Sequence, residues 1–83
     1  MNITEGAVVK SEAGHDKDMV YFVKKCENGF AFLVNGKTKK HGNPKRKKLK
    51  HLSRLDHDGV DGIDNLSDKK IRRLLREIAE KSV

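Results

Sequence analysis

The sequence predicts a mainly β protein that ends in one amphipathic α-helix. Two patterns carry that prediction. Short β-branched and aromatic runs, punctuated by Asn28-Gly29 and Asn35-Gly36, fill the first part of the chain. Near the end, Ile71, Leu74, Leu75, Ile78 and Ala79 recur at the spacing that lines one face of a helix.

Taken in order, GAVVKS (residues 6–11) contains the β-branched Val8 and Val9 and reads as a first strand. EAGHDKD (12–18) is a polar connection in which Gly14 can take a positive φ without steric cost. MVYFVKK (19–25) is a second strand, with Met19, Tyr21 and Val23 on one face and Val20 and Phe22 on the other. FAFLV (30–34) is a third, with Phe30, Phe32 and Val34 sharing a face. An Asn-Gly pair flanks it on each side, and Asn-Gly is the preferred pair for a type I′ hairpin turn. The expectation is therefore a meander whose return strand begins at Lys37–Lys40. Pro44 interrupts it. Beyond, Leu49, Leu52 and Leu55 are spaced by three, which suits a helix face. A strand over the same residues needs a bulge or an end to bring Leu52 inward. Spacing leaves both open.

Residues 57–66, rich in Asp and Gly, read as an acidic linker. Residues 67–83 form the amphipathic segment, with Ser67 as N-cap and Asp68 at the positive end of the helix dipole. Lys69, Lys70, Arg72, Arg73 and Arg76 occupy the outer face. An isolated helix of about 15 residues is marginal in water, so the apolar stripe needs a surface. That surface is the sheet or another molecule.

Composition narrows the function. Eighty-three residues make one small domain, which buries only about 60% of its unfolded surface. Charged residues are 37% of the chain, against a usual ~25%. The net charge of +7 is unevenly placed: Lys37, Lys39, Lys40, Lys45, Arg46, Lys47, Lys48, Lys50 and Arg54 all fall between Glu27 and Asp56, with no acid among them. Such a block repels itself unless a polyanion relieves it, so these nine cations are the predicted phosphate-binding residues. The block lacks the Trp, Phe and Leu face of an interfacial helix, and no apolar run approaches ~20 residues, which argues against a membrane. The first residues lack the charged and apolar regions of a secretory signal, so a cytoplasmic location is expected.

Other chemistry is poorly represented. Cys26 is the one cysteine, reads as a strand-end residue, and has no CxxC or Cys/His partners for zinc. Asp56, Asp58, Asp61 and Asp64 do not fit an EF-hand loop. No nucleophile–base pair or Gly-rich phosphate loop is present, so no catalytic residue, metal, cofactor or small-molecule substrate is expected. Phe22, Phe30 and Phe32 are expected in the core, which leaves shape and phosphate to be recognised rather than bases. His41 and His51 read as incidental polar positions within the basic block, able to donate to phosphate when charged.

GAVVKS, then AG among polar residues, then VYFV resembles a KOW motif, the strand–turn–strand unit of ribosomal and transcription-factor SH3-like barrels. The later NG, basic residues and PKRKKLKHL are similar to small bacterial KOW-domain proteins related to archaeal and eukaryotic large-subunit ribosomal proteins. The resemblance covers roughly residues 4–56. It implies a strongly bent SH3-like barrel of about five strands over residues 1–56, and a closing strand over 49–55. It also implies a non-enzymatic, ribosome-associated RNA-binding role in translation. The motif glycine carries over to Gly14, and the basic cluster to Lys45, Arg46, Lys47, Lys48 and Lys50. His15 stands where the motif has Arg and Asp18 where it has Gly, which lowers the charge and freedom of that loop. Two alternatives stand beside this. One is an adaptor whose barrel or helix docks on a ribosomal protein or polymerase; the other is DNA binding through 45–55, should that segment be helical.

Overall fold

Val20–Glu27 (β2) is the spine of a five-stranded antiparallel sheet in this computed structural model, which describes residues 3–81. The ends of the expected barrel and helix segments, 1–2 and 82–83, lie outside the described residues. β1 (Val8–Ser11) and β3 (Phe30–Val34) flank β2, and β4 (Lys45–Lys48) and β5 (Leu52–Arg54) form the edges, in the order β4-β3-β2-β1-β5. The helix α1 spans Asp68–Lys81. In a flat sheet the two edges would be about 19 Å apart, four strand spacings. Yet only the 3-10 turn Leu49–His51 separates β4 from β5, and the four steps from Lys48 to Leu52 reach at most ~14 Å. The sheet therefore curls into a small, barrel-like fold with one helix.

The first Asn-Gly behaves as expected. Asn28 and Gly29 both take positive φ, 51° and 83°, and Glu27 pairs with Phe30 across a two-residue turn. The second does not. The Asn35 side-chain oxygen accepts from the backbone N–H of Lys37 and of Lys39, both at 2.9 Å, and the Asn35 N–H donates to the Lys39 carbonyl. These bonds capture amides that a strand would give to a ladder, so Lys37–Lys40 is a closed loop. The return strand starts only after Pro44, at Lys45, which corrects the expected start at Lys37. Gly36 (φ 73°) seats this loop on α1, and a Cβ there would overlap the carbonyl oxygen of Asp68.

The leucines spaced by three serve both structures that their spacing left open. Leu49 opens the 3-10 turn and packs on the sheet interior, and Leu52 begins β5 on the same side. Three residues further along a strand the side chain has changed face, so Leu55 packs on the helix side.

Two cores result, one on each face of the sheet. The interior holds Ala7, Val9, Tyr21, Val23, Ala31, Leu33 and Leu52. Between sheet and helix lie Val8, Phe22, Val34, Ile63, Ile71 and Leu75. Tyr21, Val23 and Phe22 divide between the faces as the alternation predicts, whereas Met19 precedes β2 and stays exposed. The helix stripe packs on the sheet, and the N-cap is made: the Ser67 hydroxyl accepts from the Lys70 N–H at 3.1 Å.

Residues 57–66 are more than a solvated linker. Val60 N–H donates to the Gly6 carbonyl, Ile63 is fully buried, and Val60 and Leu66 pack beside it. Three apolar residues at a spacing of three lie under the helix, although the exposed aspartates dominate the composition.

Candidate nucleic-acid interface

Residues opposite one another in an antiparallel pair share a face. β4 pairs with β3 as Phe30–Lys48, Ala31–Lys47, Phe32–Arg46 and Leu33–Lys45. Lys45 and Lys47 thus lie on the interior face with Ala31 and Leu33, and Arg46 and Lys48 lie on the outer face with the two phenylalanines. β2 contributes as well. A bulge between Val23 and Lys25 shifts the register so that Lys25 stands opposite Phe32.

The rings correct the expectation that all three phenylalanines fill the core. Phe22 does, at 1% exposure. Phe30 and Phe32 are half-buried, because the helix-side core ends at Phe22 and Val34 and does not reach the hairpin end of β3. Cations cover them instead: the Arg46 guanidinium carbon lies 4.6 Å from the Phe30 ring centre, and Lys25 Nζ 4.8 Å from that of Phe32.

Lys47 is withdrawn from the predicted phosphate-binding set. Its side chain is 10% exposed, and Nζ donates to Asp16 Oδ1 at 2.5 Å and to the Ala13 carbonyl at 2.7 Å. Asp16 also accepts from the Ser11 hydroxyl (2.9 Å) and the Tyr21 hydroxyl (3.0 Å). Burial pushes the Asp16 carboxyl up, but the bonds from Lys47, Ser11 and Tyr21 and the Lys47 charge outweigh it and bring the pKa to about 2. Burial, then the bond to and charge of Asp16, push Tyr21 up to about 12. This network anchors the 12–18 loop, in which Gly14 has the positive φ foreseen (85°) and Asp18 has one as well (74°).

The remaining cations divide into separate groups. Lys48 and Lys50 are exposed and close in the chain to Arg46, which is exposed too; Lys45 is half-buried. Lys37 and Lys40 are exposed and Lys39 half-buried on the 36–44 loop. Lys37, with Arg72 and Arg76, rims an open groove whose apolar lining is Val20, Leu75 and Ala79. Arg54 is set apart on β5, beside Asp56 and Asp58. Of the nine predicted residues only Lys47 is in an ion pair among the described residues, and none of the five outer-face helix cations is. Lys25 pairs with Glu27 at 3.4 Å, both side chains more than half exposed, a weak contact.

His41 is structural. Its Nδ1 accepts from Lys24 Nζ at 3.0 Å, Nε2 donates to the Leu66 carbonyl at 2.7 Å, and its backbone N–H donates to Asp68 Oδ1. It thus ties the basic loop to the start of α1. Lys24 also holds Asp64 at 2.6 Å. The Cys26 thiol donates to the Ile3 carbonyl, and burial, then Glu5, push its pKa up, which disfavours the thiolate.

Sequence reasoning missed the Asp16 network, the His41 joint and the exposure of Phe30 and Phe32. One signal for the last was present: Ala31 and Leu33 alternate with the rings and are smaller, which suits them to a tight interior. A comparison of the chain with protein-family models gives no match, and neither does a comparison with curated proteins.

Proposed function

We propose that this chain is a non-enzymatic, cytoplasmic RNA-binding protein of KOW type, associated with the ribosome or another structured RNA. The observation that carries the proposal is the set of exposed cations Arg46, Lys48 and Lys50, without an ion pair among the described residues and rooted on ordered backbone at β4 and its turn. Ordered cations that face water with no carboxylate partner gain most from replacing counterions at a phosphate backbone. Lys37, Lys40 and the outer face of α1 would extend the footprint for a large RNA. No helix in the described residues is long and apolar enough to cross a membrane.

The test is recovery of the tagged protein from lysate with and without ribonuclease. Loss of partners after digestion supports the proposal. The adaptor reading is favoured by the groove of Val20, Leu75 and Ala79 with its rim of Lys37, Arg72 and Arg76, which would suit an acidic peptide with an apolar anchor. It predicts that protein partners survive ribonuclease and are lost on Ala79→Glu, at an exposed position of the same groove.

A further inference from the structure

We infer that Phe30 and Phe32 form a stacking platform for unpaired bases, with Arg46, Lys48 and Lys25 holding the phosphates of the same strand. The inference rests on the RNA-binding reading and narrows its ligand to single-stranded or looped RNA.

Both rings stand on the helix-side face of β3, at the hairpin end that the helix-side core does not reach, and both are half-buried, so part of each side chain meets water. Side chains at i and i+2 of a strand are about 6.6 Å apart, close to the step between successive nucleotides of an extended strand. Each ring carries a cation of the protein over it, at 4.6 and 4.8 Å, and an incoming base takes that place as the exposed Arg46 or Lys25 side chain swings aside. Arg46 is the more adaptable of the two. Its planar guanidinium can wall a base on the side away from Phe30 or turn to a phosphate. Lys48, opposite Phe30, supplies a second cation on the same face. Glu27 is also opposite Phe30 and lies 3.4 Å from Lys25 in the weak, exposed ion pair of the free protein. It marks the end of the platform, and a phosphate reaching Lys25 has to displace it. A base within a duplex is stacked on its neighbours and cannot reach either ring, so the platform separates unpaired from paired strands, which the surrounding cations alone would not do.

The experiment is fluorescence anisotropy with the full chain at one low salt concentration, using labelled oligo(U), oligo(dU) and an RNA duplex of equal length. Stacking is worth about 1–3 kcal/mol per base, so Phe30→Leu and Phe32→Leu are each expected to weaken oligo(U) binding roughly 5- to 150-fold and to leave the duplex within about twofold. Glu27→Gln is expected to tighten oligo(U). Equal losses on oligo(U) and duplex, or no loss on oligo(U), overturn the inference. The wild-type protein supplies a check that does not depend on variant folding: with oligo(U), the ring NMR signals of Phe30 and Phe32 shift while those of buried Phe22 hold. Rings that do not move overturn the stacking. Tighter binding of oligo(U) than of oligo(dU) supports RNA as the source of the bases, and the reverse overturns that part. If the wild type binds none of the probes, the RNA-binding reading itself fails; salt-sensitive binding that ignores the rings defeats only the platform.

Discussion

Protonating Asp16 should release a stabilisation that can be sized from its surroundings. Its folded pKa is about 2 against an ordinary 3.8, with the burial penalty outweighed by Lys47, Ser11 and Tyr21. A carboxylate whose pKa is lower in the folded state stabilises the fold above its unfolded pKa. That contribution disappears as pH falls through the folded value, so the window runs from about pH 4 down to about pH 2. At 1.36 kcal/mol per pKa unit the contribution is roughly 2 kcal/mol. For a chain this small, each kcal/mol moves Tm by about 4–8 °C, so the Asp16 share is roughly 8–16 °C. The assay is thermal unfolding by circular dichroism from pH 7 to pH 2, wild type against Asp16→Asn. At pH 7 the variant should be less stable by about 3–5 kcal/mol, because it leaves the Lys47 ammonium buried without its carboxylate. On acidification the other carboxylates titrate in both proteins and cancel in the difference. The gap should narrow by roughly 2 kcal/mol between pH 4 and pH 2. Parallel curves across that window would refute the assignment of Asp16 as an ionised, buried anchor.

Lys47 and Lys48 are neighbours with opposite fates, which salt titration can read. Lys48→Gln should lower the magnitude of the log–log salt slope for single-stranded RNA by about 0.7; Lys47→Gln should leave the slope alone and lower Tm instead. With about six phosphate contacts the wild-type slope should be near −4, and a slope near zero would count against phosphate binding. Ile71→Ala empties the centre of the helix-side core and should cost about 2–5 kcal/mol in urea unfolding; a cost under 1 kcal/mol would mean that α1 does not hold the fold together. Asp18→Gly relieves a non-glycine residue at φ 74° and should raise stability by about 0.5–1 kcal/mol, measured in the same way; a loss of stability would refute strain at this position.

Elements resting on local chemistry were legible in the chain itself. β2 and β3 follow from alternation, the Asn28-Gly29 turn from two residues that tolerate positive φ, and α1 from its stripe and its Ser67 cap. The location of a cationic block was equally plain, since it needs only a count of charges. What could not be read were outcomes fixed by residues distant in sequence. Asn35-Gly36 makes a closed loop instead of a hairpin because the Asn35 side chain takes the Lys37 and Lys39 amides, and that Gly36 then packs against Asp68, 32 positions on, could not be foreseen. Val60, Ile63 and Leu66 read as a linker until α1 is laid over them.

The chain alone determined the local elements and their order, because propensity, turn chemistry and periodicity act over a few neighbouring residues. Tertiary structure decided which side of each strand faces inward. Along KRKK every side chain has the same sign, so no hydrophobic alternation distinguishes the two faces. Only pairing with β3 turns Lys47 to Asp16, leaves Lys48 in water and sets Arg46 over Phe30. Charge is additive and can be summed from composition; the direction of a charge depends on register, and register forms only when the partner strand is in place.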